Sequence, residues 1–151
     1  MSQQTLFDNT LFEGPFDVGL IAASEIANNS EFNSIRVFME FEDFDPSPTA
    51  CNLTAILEEE VAPGVFEAVA RTNELINSSD NSPLRHIVIT PGFISNPGID
   101  EFIPIGLGLR VSAFDGVAAR SMRLAIYKAN DCGNAPLQQF RLTARCSLFN
   151  R

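Results

Sequence analysis

Tryptophan is absent from this 151-residue chain, and tyrosine, histidine and lysine occur once each. With Tyr127 the sole tyrosine, any platform for stacking a sugar or a base has to be phenylalanine. A single histidine, His86, rules out a histidine-rich metal site, and no serine or cysteine nucleophile motif surrounds it. It reads as an ordinary strand position, and no enzyme activity or cofactor is expected. The three cysteines, Cys51, Cys132 and Cys146, are odd in number and form no C-x-x-C pair. Neither a disulfide framework nor a zinc knuckle is indicated, and free thiols of a reducing compartment are expected. Basic residues number 10 against 19 acidic, for a net charge of -9 and a pI near 4.4. Neutralising phosphates needs a positive surface, so no nucleic-acid partner is expected. No run approaches the ~18 apolar residues of a membrane-spanning helix, and no membrane partner is expected. Met1 to Thr5 has neither a basic region nor an apolar stretch after it, so no secretory signal is expected. The sequons at Asn28, Asn52 and Asn77 then read as chance matches.

Hydrophobic residues make up 45% of the chain and charged residues 19%, which excludes wholesale disorder. A chain of this length forms one domain that buries roughly 70% of its unfolded surface, without metal or disulfide. Its charge is unevenly spread. Residues 1–60 hold 12 acidic side chains and one basic, Arg36, for a net of -11. Residues 61–151 hold 7 acidic and 9 basic, for +2, and the two halves sum to -9. All the basic residues except Lys128 are arginine, whose planar fork favours interfaces. Arg120, Arg123, Arg141 and Arg145 are therefore candidate partner-binding residues, meeting acidic surfaces on neighbouring copies of a homo-oligomer, most simply a trimer.

The first seventeen residues read as an arm, with a sandwich domain over 18–151. Thr5-Leu6-Phe7-Asp8-Asn9 is followed by Thr10-Leu11-Phe12-Glu13-Gly14, a tandem pentapeptide, and then by Pro15-Phe16. No helical or strand period holds there. Phe7, Phe12 and Phe16 need cover, either on their own domain or on a partner. Residues 18–27 read as a short strand. From residue 34 the period becomes two: Ile35, Val37, Met39 and Phe41 alternate with Arg36, Phe38, Glu40 and Glu42. Leu53 to Val61 continues the alternation, Ala62-Pro63-Gly64 turns, and Val65 to Ala70 pairs back as a hairpin. Leu84 to Thr90 is the next strand, and Phe93 to Phe102 looks like loop. Ile103 to Ala113, Met122 to Ile126 and Phe140 to Leu148 alternate again. Seven or eight strands with turn signals between them predict an all-β fold, an antiparallel sandwich or jelly roll with an extended N-terminal arm.

Few residues carry candidate chemistry. Glu42, Asp43 and Asp45 gather carboxylates where a strand enters a proline turn, the oxygen-rich setting that calcium uses, but without an EF-hand pattern. They read as a solvated acidic turn, with no metal expected. Glu58 and Glu60 share one side of a strand and Glu59 takes the other, which suits solubility or edge protection. Gly106-Leu107-Gly108 lies inside a strand pattern with no helix after it, so it is not a phosphate loop.

A small acidic sandwich, with an apolar arm over Thr5 to Phe16 and strands from Ile35 to Leu148, resembles the capsid decoration, or cement, proteins of tailed bacteriophages. The resemblance is one of architecture. It implies a non-enzymatic virion protein on the capsid surface, made in the host cytoplasm. Its partners would be the major capsid protein and itself, often as a trimer, and it would clamp adjacent capsid subunits. A carbohydrate-binding sandwich module, with or without calcium, is the alternative from another class.

Overall fold

The structure, a computed structural model, describes residues 2–27, 31–45, 53–72, 84–91, 100–103, 109–118, 121–129 and 137–150. Ten strands and no α-helix occur among them. They are β1 (Ser2–Glu13), β2 (Gly19–Ile26), β3 (Ser34–Asp45), β4 (Leu53–Ala62), β5 (Val65–Arg71), β6 (Leu84–Thr90), β7 (Asp100–Ile103), β8 (Leu109–Asp115), β9 (Met122–Lys128) and β10 (Gln139–Phe149). A six-stranded sheet runs β1-β10-β3-β6-β8-β7, and a four-stranded sheet runs β2-β9-β4-β5.

The pairings are nested. β1 pairs β10, β2 pairs β9, β3 pairs β6 and β4 pairs β5, all antiparallel, as if one long hairpin had been laid out. β10 then pairs β3, and β4 pairs β9, which rolls that hairpin into two facing sheets. This is the jelly-roll arrangement of the sandwich. The β7–β8 hairpin is an addition between the sixth and ninth strands. β8 lies parallel to β6, with the four-residue β7 as its antiparallel return at the sheet edge.

Strand alternation fills the space between the sheets. Ile35, Val37, Met39 and Phe41 of β3 face inward, as do Leu53, Ala55 and Leu57 of β4. Leu124 and Ile126 of β9 and the run Phe140, Leu142, Ala144, Cys146 and Leu148 of β10 complete the core. Phe140 is the hub of an aromatic cluster, with ring centroids at 5.0 Å from Phe12, 5.6 Å from Phe16, 6.3 Å from Phe41 and 6.4 Å from Phe44.

Three expectations are corrected. The N-terminal segment is not a separate arm. Residues 2–13 are an edge strand of the six-stranded sheet, paired with β10 from Ser2↔Leu148 to Glu13↔Gln139. Gly14 N donates to Gln138 O at 2.6 Å, and Lys128 Nζ donates to Phe16 O at 2.7 Å, which fixes the chain beyond the strand. Its period is hidden by register shifts between Thr5 and Phe7 and between Phe7 and Thr10, with Asn9 at φ 48°. A five-residue repeat would put Phe7 and Phe12 on opposite sides of a regular strand. The extra residue at the second bulge returns Phe12 to the side of Phe7, and both pack on the core. Second, the single strand expected over Ile103 to Ala113 is split: Ile103 ends β7 and pairs with Leu109 of β8. The loop expected over 93–102 therefore contains the start of β7, while Gly106-Leu107-Gly108 lies outside the described residues. Third, the described residues form ten strands rather than seven or eight, because β1 and β7 carry no clean alternation.

Candidate functional site

The outer side of the six-stranded sheet collects residues that the core leaves over. Cys146, Val37 and Ile87 point inward on β10, β3 and β6, so Arg145, Ser147, Arg36, Phe38 and His86 point outward. The register lines them up. Thr5, Arg145, Phe38 and His86 form one cross-strand row, and Gln3, Ser147 and Arg36 form the next. Together they line a depression of about 430 Å³. No acidic side chain lines it, although the chain holds 19. Phe38 is 38% exposed at its centre. The Arg36 guanidinium stands 4.9 Å from the Phe149 ring, a cation–π contact that leaves its fork available. Burial lowers the His86 pKa, and the Arg36 charge lowers it further, so the imidazole is neutral at pH 7. The depression is thus a groove with two fixed positive charges, an apolar centre and neutral hydrogen-bonding groups around it.

The outer side of the four-stranded sheet is closed by contrast. Glu58 of β4 accepts from Arg123 Nε at 2.6 Å and from the Tyr127 hydroxyl, both on β9. The Arg123 guanidinium also lies 3.6 Å from the Phe66 ring centroid. Burial, and then the Glu58 carboxylate, push the Tyr127 phenol above its ordinary pKa. Glu58 is only 5% exposed, and both its oxygens are engaged. This tetrad welds β4, β5 and β9 and offers no free donor or acceptor pair for chemistry.

The residues singled out in the sequence scatter. Phe7, Phe12 and Phe16 pack on their own core. Arg123 is held by Glu58. Arg141 Nε donates to Asp43 at 2.9 Å and its Nη1 to Asn9 O at 3.0 Å, pinning the bulge of β1. Acidic N-terminal and basic C-terminal segments therefore meet first within one chain, because β10 lies beside β3 and β9 beside β4. Of the three that are described, Arg145 lines the groove; Arg120 lies outside the described residues. The carboxylates Glu42, Asp43 and Asp45 do not converge. Asp43 faces Arg141, while the charge of Glu40 beside Glu42, then burial, raise the Glu42 pKa. Among the described residues no group of three or more metal-ligating side chains occurs. Cys146 is a buried free thiol that burial pushes up to about 11, which makes it inert at neutral pH. Cys51 and Cys132 lie outside the described residues.

Sequence reasoning missed Arg36, Phe38 and His86 as a unit. One signal was present: Arg36 is the only basic residue of the first sixty. It also missed Arg85, fully buried, whose Nη1 donates to Leu84 O at 3.1 Å.

The second open feature is the corner between β1 and β2. A hollow of about 320 Å³ there is lined by Phe12, Pro15, Phe16, Val18, Leu20 and Ile21 together with the acidic Glu13 and Asp17. Val18 and Leu20 are 52% and 50% exposed. No protein-family model, no curated protein and no solved structure matches the chain. The fold itself defines the class: a jelly-roll sandwich with an added edge hairpin.

Proposed function

We propose that this protein is a non-enzymatic capsid decoration protein, which binds the outer surface of a tailed-phage head and clamps neighbouring capsid subunits. The jelly roll is a fold of viral shells, but also of lectins and cupins, so the argument has to come from the surface. The observation that carries the reading is the apolar corner between β1 and β2. Val18 and Leu20 stay exposed at a hollow walled by Phe12 and Phe16 and edged by Glu13 and Asp17, on a chain that has a complete core without them. Exposed apolar side chains gathered at one rim mark a docking surface. Phe12 and Phe16 build the seat, and Val18 and Leu20 make the contact. Many such modest contacts, repeated by the symmetry of a shell, hold tightly through multivalency.

The test is binding of the purified protein to phage heads that lack it. The variant Val18→Asp/Leu20→Asp should bind at least about tenfold more weakly, because burying a carboxylate against an apolar seat is costly. Its melting temperature should not move, since neither side chain belongs to the core. Undiminished binding by that variant would remove the corner from the interface. Binding to a glycan array instead of heads would favour the carbohydrate-module reading.

A further inference from the structure

We propose that the β4–β5 hairpin of one copy docks in the arginine-lined groove of a second copy, joining subunits head to tail. The last pair between β4 and β9 is Glu59↔Met122 and Glu60 N still donates to Ser121 O, so the hairpin runs past the β9 pairing from Val61 to Val65. Val61 and Val65 on it are 48% and 52% exposed. Glu67 is exposed as well; it shares one side of β5 with Val65, two residues away, and stands opposite Glu59 of β4 on that side. A projecting strip that is apolar next to acidic faces a groove that is apolar next to basic: Phe38 flanked by Arg36 and Arg145.

Position makes this contact intermolecular. The groove is on the outer side of the six-stranded sheet and the hairpin belongs to the other sheet, with the core between them. One chain cannot fold its hairpin onto its own groove. Yet both lie towards the same end of the sandwich. Ala118 N donates to Asn33 O, just before β3, and Glu60 N donates to Ser121 O, just before β9. The groove residues Arg36 and Phe38 follow a few positions along β3 from that end. A neighbour rotated about an axis near this end would present its hairpin to the groove. Such a contact uses two different patches, so it is heterologous and closes into a ring when the rotation allows. The net charge of -9 opposes unspecific association and leaves this complementary pair of patches as the favoured meeting point. The proposal concerns self-association and does not depend on what the assembled protein coats.

Light scattering and sedimentation over a range of protein concentrations test it. The unaltered chain should associate, and the doubles Arg36→Glu/Arg145→Glu and Glu59→Lys/Glu67→Lys should each weaken association about a hundredfold or more, by setting like charges opposite each other. None of the four positions is buried, and matching far-UV circular dichroism and melting temperatures check that each double folds. An equimolar mixture of the two doubles should recover association, since each then meets an opposite charge. An unaltered chain that stays monomeric into the high micromolar range would overturn the proposal. So would association indifferent to both doubles, or failure of the mixture. Loss of head binding in Val18→Asp/Leu20→Asp with intact self-association would separate the two surfaces.

Discussion

His86 sits on the solvent side of β6, yet burial and the Arg36 guanidinium hold its pKa below the ordinary 6.5. The unfolded chain, at the ordinary value, takes up the proton more readily than the folded one. Stability is therefore fully present above about pH 6.5 and falls as pH drops through the interval down to the lowered folded value. The variant His86→Gln should flatten that fall. Thermal melts of both proteins from neutral pH to about pH 5 check it, and equal slopes would show that the imidazole is not the sensor. Glu42 works in the opposite sense. Its raised pKa, caused chiefly by Glu40, means that its contribution to stability declines as pH rises through the carboxylate range. The residue types of both sites are plain in the sequence, but their neighbours are not. Arg36 reaches His86 through the pairing of β3 with β6, and those strands are separated by two others in the chain.

Among the elements, β1 departs most from its sequence. Asn9 adopts φ 48°, which a β-branched side chain tolerates badly, at a cost of about 1–2 kcal/mol. Asn9→Val should therefore lower stability by about that amount in urea titrations, while Asn9→Gly, which is free in that region, should change it by only a few tenths. Equal effects of the two would mean that the bulge relaxes. Removing residues 1–16 should do far more damage. It strips Leu6 and three aromatic side chains from the core and exposes the edge of β10, each buried phenylalanine being worth about 1.5–3 kcal/mol. A truncated protein that melts much lower or aggregates is the expected outcome, and one with an unchanged melting temperature would show that the segment is dispensable. The strands β3, β4, β6, β9 and β10 were legible because each carries a stretch of alternating or β-branched apolar residues bounded by turn signals. β1 was not, because two bulges shift its alternation out of step with the sequence. β7 is four residues long, too short for a period to emerge.

Over the whole molecule the nested pairings tie the two ends together, with Ser2 opposite Leu148 in one sheet. No part of the chain completes a sheet before distant segments arrive. Unfolding in urea should accordingly be a single transition, with coincident curves from far-UV circular dichroism and Tyr127 fluorescence. Refolding should take milliseconds to seconds, the range of sandwiches dominated by non-local contacts. Separated curves would mean that the sheets open independently. By itself the sequence determined the fold class, most strand positions, the core residues and the acidic balance, because all of these follow from composition and from a period of two within single strands. Only the tertiary structure decided which strands lie side by side. That choice made the N-terminal segment a strand, closed Arg123 on Glu58 and Arg141 on Asp43 within the chain, and gathered Arg36, Phe38, His86 and Arg145 into one groove. The physical reason is that local alternation says which way a side chain points, whereas its neighbours across the sheet come from strands far away in the chain.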